Sequence, residues 1–430
     1  MNYTKQLLDF IKNSPSPFHV VENSSNILRE VGFEELDFSA DWSLKPNSGY
    51  FINQYGTTLF AFTTGNTIDS STCVRMANAH TDQPCFRVKP NPILLEKGYI
   101  KVNTETYGGV ILNTWLDRPL SLAGKVVLKS DDIFNPNIKL IDFARPLLTI
   151  PNLAIHLNRE VNKGVELNRQ SHMLPILGMV NDTLNNDDYF LEIVAKELNV
   201  APSDIIDFDL YIYLYEEGTT LGINNELISS PRLDNLTSSI ALIDGIIASK
   251  NNDNNNINII GLFDNEEIGS STKQGADSMV SNILLAKIFA GLGKSQVDAY
   301  NVIPKSFCIS MDVAHGLHPN YSAKADPTNT VILNNGVVLK IDTTQRYASD
   351  VEALSTIEQL CANNDIKYQK YVNRSDAVGG STLGSISSAW LPMKTVDLGV
   401  PMLAMHSSRE LIGTEDQEML VKLAESYFTA

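Results

Sequence analysis

Asn258-Ile-Ile-Gly-Leu-Phe263-Asp264-Asn265-Glu266-Glu267 is the stretch on which the fold turns. Its apolar half has the length and Ile-rich composition of a buried strand. Its acidic half follows with no spacer. Carboxylates at the C-terminal end of a buried strand suit an open α/β sheet, where ligands bind in the crevice outside the strand ends. The adjacent Glu266 and Glu267 add a chemical option: one can bind a metal while its neighbour stays free as a base.

The same pattern recurs along the chain. Cys73-Val-Arg-Met-Ala-Asn-Ala-His80 reads as a strand that ends on His80, and Thr81-Asp82 follow it. Asp312 follows Phe307-Cys-Ile-Ser-Met, with His315 and His318 soon after, and His406 follows Pro401-Met-Leu-Ala-Met. Asp234 lies in Ser230-Pro-Arg-Leu-Asp, just ahead of a helical pattern. Separate strand ends can bring such residues into one crevice. Two His, two Asp and a Glu are nitrogen and oxygen donors, which suits zinc or another borderline divalent ion rather than a thiolate site. Five ligands are too many for one tetrahedral zinc and right for two ions sharing a carboxylate, as at hydrolytic two-metal centres. Taken singly, each element has an ordinary use: Asp as turn residue or helix cap, Glu-Glu facing a helix dipole, His as a satisfied half-buried ring. The combination, mostly at strand ends, carries the weight.

The chain has 430 residues, long enough for two or three domains with a large core. Fifty acidic against 33 basic residues leave a net charge of −17, which argues against nucleic acid and anionic membranes as partners. No apolar run reaches the ~20 residues of a membrane span. The first residues read as a short amphipathic helix and not as a secretory signal. Four scattered cysteines without a CxxC pair suit reduced thiols, so a cytoplasmic protein is expected. A helix pair is expected at the start, its second member over 20–31. The region 88–215 has short alternating segments, with strands expected over 125–129 and 208–215 and one helix over 187–198. This texture suggests a β-rich domain inserted into the chain. Beyond 221 it becomes α/β, with strands over 258–263, 306–311, 337–341 and 402–405 and helices over 351–363 and 416–427. The Asn-rich run 251–256 reads as a solvated connector.

Several segments together resemble the aspartyl aminopeptidase and aminopeptidase I family of two-zinc metallo-aminopeptidases. They are Ser14-Pro-Ser-Pro-Phe-His19, Asn78-Ala-His80-Thr-Asp82-Gln-Pro, Trp115-Leu-Asp-Arg-Pro-Leu, Ile150-Pro-Asn-Leu-Ala-Ile-His156-Leu-Asn-Arg, Asp264-Asn-Glu-Glu-Ile-Gly-Ser, Met311-Asp-Val-Ala-His-Gly-Leu-His-Pro-Asn and Ala404-Met-His-Ser-Ser-Arg-Glu. They run in the family's order over nearly the whole chain. The resemblance implies an α/β fold: a mixed-sheet, phosphorylase/hydrolase-like zinc-peptidase catalytic domain over 1–87 plus 218–430, with an inserted β-rich dimerisation domain over 88–217. It also implies a homo-oligomer, a tetrahedral dodecamer built from dimers, that removes single N-terminal residues from peptides with free N-termini.

Residue by residue, the resemblance implies that His80 and Asp312 bind one metal, Glu267 and His406 the other, and Asp234 bridges them. Glu266 would be the general base, and Asp82 would hold His80 in its tautomer. His156 would reach substrate from a neighbouring subunit. His315 and Lys340 would line the pocket for an acidic first residue, although Lys340 lies in a strand pattern and could have a structural partner instead. The metals would be zinc, with manganese or cobalt as alternatives. Three other readings stay open: an apolar-preferring member of the family, an N-acyl amino acid deacylase holding a substrate carboxylate through Arg232, Arg346, Arg374 or Arg409, and a shell protein without catalysis.

Overall fold

The computed structural model describes residues 2–69, 71–180, 189–250 and 254–430. Its centre is a nine-stranded mixed sheet. In spatial order the strands are Glu34–Glu35, Gly49–Gln54, Thr58–Thr63, Ile257–Phe263, Val74–His80, Phe307–Met311, Lys394–Gly399, Val337–Ile341 and Tyr368–Val372. The four strands from Ile257–Phe263 to Lys394–Gly399 are mutually parallel. Parallel strands covered on both faces read as continuous apolar runs, which is why the first three were legible; Lys394–Gly399, interrupted by Lys394 and Asp397, was not foreseen. Alternate residues enter different cores: Ile260 and Leu262 pack with Leu236, Ile240 and Ile243 on one face, Ile259 and Phe263 with Leu284, Leu285 and Ile288 on the other.

Register is what matters for the site. Phe263 pairs with His80, and Ser310 pairs with Asn78 on the opposite edge of the same strand. The segments Asp264–Glu267 and Asp312 therefore leave the sheet beside His80. A one-residue slip would exchange the side chains of the two cores and turn His80 and its neighbours away from one another. The helix Leu233–Ser249, with Asp234 in its opening turn, lies across this part of the sheet and against the last helix, Thr414–Thr429.

A second sheet has six antiparallel strands in the order Asn137–Asp142, Leu120–Leu128, Ile205–Leu214, Cys85–Glu96, Tyr99–Tyr107, Ile176–Met179. The chain passes from His80-Thr-Asp82 into Cys85–Glu96 without a linker, so the expected break at 88 falls within a strand. This sheet has its own core, with Phe86, Trp115, Leu122, Leu210 and Ile212, closed by the helix Tyr189–Leu198. The expected start of that helix, 187–188, lies outside the described residues, as do 251–253 of the Asn-rich run.

A third sheet of five short strands, Thr219–Leu221, Leu227–Ser230, Glu410–Gly413, Pro401–Leu403 and Ala314–His315, was foreseen only at 402–405. Strands this short leave no window for periodicity to show. The helix Val280–Gly291 was also missed: it is apolar on more than one side and packs among buried residues, so it has no single stripe to read. No helix among the described residues is long and apolar enough to cross a membrane.

Candidate active site

His80 ends its strand, and the ring is 1 % exposed. Its Nδ1 lies 3.0 Å from the backbone carbonyl of Asp82. A carbonyl only accepts, so Nδ1 carries the hydrogen and a neutral ring presents a bare lone pair at Nε2. That lone pair faces Asp234 Oδ1 at 3.2 Å and Asp312 Oδ1 at 3.6 Å. Across the site, His406 Nδ1 lies 3.2 Å from the carbonyl of Gly109. Its Nε2 faces Glu267 Oε2 at 3.5 Å and Asp234 Oδ2 at 3.6 Å. The two oxygens of Asp234 thus look at two imidazole–carboxylate pairs.

Acceptors confronting acceptors need a cation between them. Asp234 Oδ1 and Glu267 Oε1 are buried with no hydrogen-bond partner. One donor atom each from His80, Asp234 and Glu267 falls within 4.8 Å of the others. The same demand for positive charge appears in the titration of these groups. Burial pushes the pKa of His80 down, but the carboxylates of Asp234, Asp312 and Asp82 standing around the ring outweigh it and raise it well above the usual value. Glu267 is pushed well above the carboxylate range by burial and then by Asp234. Burial also pushes Glu266 up to about 8, with Asp312, Asp82 and Asp234 adding to the shift and His80 opposing it. For Asp312 burial acts upward, but Lys340 and His80 hold it below the usual range. The donor set fits a zinc-type divalent ion.

Asp82 does more than its sequence role. Its carbonyl, not its carboxylate, takes the His80 N–H; the nearest carboxylate oxygen is 3.5 Å from Nδ1. The carboxylate accepts the backbone N–H groups of Glu266 (3.2 Å) and Glu267 (3.1 Å) and the Tyr107 hydroxyl (2.7 Å). It thereby fixes the turn that presents both glutamates.

The remaining expected residues sit less centrally. Lys340 is 1 % exposed; its Nζ donates to the Val313 carbonyl at 3.1 Å and lies 3.8 Å from Asp312 Oδ2. His315 is solvent-accessible, with its ring centroid 6.0 Å from that of Tyr371. Its pKa is lowered by desolvation, then by Lys340 and His406. His156 is exposed in the loop after Ile150 and is not among the residues that meet at the centre. Of the arginines a deacylase would need free, Arg346, Arg374 and Arg409 are engaged with Gly379, Asp376 and Ser229, and Arg232 is buried.

Sequence reading passed over Glu410, which is 2 % exposed. Its two oxygens accept the backbone N–H of Asp234 (3.0 Å) and of His406 (2.8 Å), tying two ligand candidates to one anchor. Its place four residues after His406 was the available signal. Tyr107, Gly108 and Gly109 were also missed, and nothing local in the sequence marks them.

The model of the aminopeptidase I zinc metalloprotease family (M18) matches residues 10–428. A probable M18 family aminopeptidase 2 of Clostridium novyi (strain NT) is 46% identical over 429 residues, covering 100% of this chain and 99% of the relative. The cryo-EM structure of the Ape4 and Nbr1 complex superposes with a TM-score of 0.96 at 34% identity, covering 100% of this chain and 85% of that one. The S. cerevesiae mApe1 dodecamer gives 0.87 at 26% identity, covering 99% and 96%. Such a match along almost the entire length, around a centre whose acceptors call for a zinc-type ion, means that the chain belongs to the M18 family of zinc metallo-aminopeptidases.

Proposed function

We propose that this aminopeptidase removes single N-terminal residues, Asp and Glu by preference, at a centre of two divalent ions, zinc before manganese or cobalt. The observation that carries the two-ion reading is the pair of imidazole lone pairs facing opposite oxygens of Asp234. His80 and Asp312 would hold one ion, His406 and Glu267 the other, and Asp234 would lie between them. When bound, such a pair acidifies water and polarises a carbonyl oxygen. Glu266 stands outside both ligand pairs. Its carboxylate takes a proton from water and returns it to the nitrogen of the leaving amine. Asp82 keeps that carboxylate in place through the Glu266 backbone N–H. The carboxylate-rich centre also attracts the substrate's free ammonium group. Glu266→Gln should keep bound zinc and lose about 100- to 10,000-fold in kcat; retained turnover would remove Glu266 from this role.

Lys340, on the Asp312 side, supplies the positive charge an acidic first residue needs, and the neutral ring of His315 lines the same side as a hydrogen-bonding group. The burial of Lys340 against Val313 favours a second reading, an apolar first residue. Rates on matched free-N-terminus peptides beginning with Asp, Glu, Leu or Lys decide between them. Faster Asp and Glu cleavage supports the first reading; faster Leu cleavage replaces it. We further propose a homododecamer in the cytoplasm, its dimers made through the inserted 88–217 region, with His156 reaching a neighbour's substrate. The mApe1 dodecamer supports the assembly by likeness. Light scattering at working concentration tests it, and a monomer would end it.

A further inference from the structure

The last turn of strand Tyr99–Tyr107 leaves the six-stranded sheet and runs along the metal centre. Three consecutive residues touch it in three ways. The Tyr107 hydroxyl donates to Asp82 Oδ2 at 2.7 Å and accepts from Asn265 Nδ2 at 2.9 Å, and Thr272 holds Asn265 from behind at 2.8 Å. Gly108 has φ +71, and a Cβ there would sit 3.1 Å from the Glu267 Cβ. The Gly109 carbonyl takes His406 Nδ1, and a Cβ on Gly109 would come within 2.9 Å of that nitrogen. Ile111 N–H then donates to the His406 carbonyl at 3.2 Å.

The Tyr107 ring is itself held. It is 4 % exposed, meets Tyr211 edge-on at 6.1 Å, and lies 5.8 Å from the Arg87 guanidinium, which Asp209 fixes. All of these packing partners belong to the six-stranded sheet. A side chain locked by its own sheet and bonded into another sheet's acid cluster transmits position from one to the other.

We propose that the Tyr107–Gly109 turn of the inserted sheet is a positioning element for the metal centre. The Tyr107 hydroxyl sets Asp82, and through it His80 and the Glu266–Glu267 turn. The Gly109 carbonyl sets the tautomer and direction of the His406 ring. The inserted sheet then completes the site of its own subunit, apart from any part in assembly. The inference rests on the ligand assignment proposed above.

Tyr107→Phe removes one oxygen and keeps the packed ring. It should lower kcat about 10- to 100-fold with KM within about two-fold, and raise the zinc dissociation constant, read by chelator competition, about ten-fold. Gly109→Ala should do the same by displacing the His406 ring. Gly178→Ala, in the same sheet but with only Ile100 Cδ1 at 3.7 Å from the new methyl, should match wild type. If Tyr107→Phe fails to fold, Gly109→Ala decides by the same two readouts. A wild type that needs zinc, beside variants whose kcat and zinc affinity stay within about two-fold of it, overturns the positioning role alone. A wild type that binds no zinc, or keeps its turnover after chelation, overturns the ligand assignment instead.

Discussion

The two halves of the proposed metal centre are built differently. His80 and Asp312 leave neighbouring parallel strands, and their side chains are 1 % and 13 % exposed. His406 is 32 % exposed and sits beyond a three-residue strand, at φ +67. Strand pairing aims the first imidazole. The second is aimed by borrowed groups, the Gly109 carbonyl and the Glu410 carboxylate. Both halves use the same logic, an N–H spent on a carbonyl so that the other nitrogen faces acids. They differ in what holds the logic in place: one is a product of the core, the other of contacts between regions distant in sequence.

Removing each imidazole sharpens that contrast most. His80→Ala and His406→Ala should each lower kcat/KM by more than about 100-fold. Only His80→Ala should also destabilise the metal-free protein by about 3–5 kcal/mol, because it leaves buried carboxylates without their cationic partner. Equal melting temperatures for the two variants would break the comparison. Next in size is the order of metal release. Chelator titration of the wild type should show two steps, the His406–Glu267 ion leaving first with about ten-fold weaker affinity, or ~1.4 kcal/mol. His406→Ala should lack that first step, and a single step in the wild type would mean that the halves are equivalent. The least direct effect on the metals is expected at the shared anchor. Glu410→Gln keeps one acceptor and turns an amide toward the other backbone N–H, at a cost of about 1–3 kcal/mol in urea denaturation. Its zinc loss should fall first on the His406 half, since Asp234 is also held by the opening turn of its helix.

The same difference explains what could be read from the sequence. His80, Asp264 to Glu267 and Asp312 each end an apolar run, so strand and ligand announce one another within a few residues. Asp234 was legible from the helix pattern that follows it. His406 was placed from the apolar run 402–405 ahead of it, although that run folds into a strand of only three residues, and its pairing with Glu267 came from the family resemblance. Glu410 is an acid among surface-like residues until the fold buries it. Tyr107 looks like any aromatic of an alternating strand, because its bond to Asp82 depends on how two sheets meet. Lys340 was weighed both ways: its strand pattern pointed inward, and its ammonium lies buried on the Val313 carbonyl.

The strand Val74–His80 is made early in synthesis, yet both of its partners in the sheet, Ile257–Phe263 and Phe307–Met311, come much later. The ligand candidates follow in the same spread-out order, with His406 close to the C-terminus. At translation rates of ~5–20 residues per second, His406 emerges on the order of tens of seconds after His80. On the ligand assignment proposed above, an unfinished chain holds an incomplete set of metal donors through that interval. With that assignment the interleaved order of the strands would act as a clock, delaying peptide cleavage until synthesis is nearly finished, and chains ended before residue 406 should show no turnover.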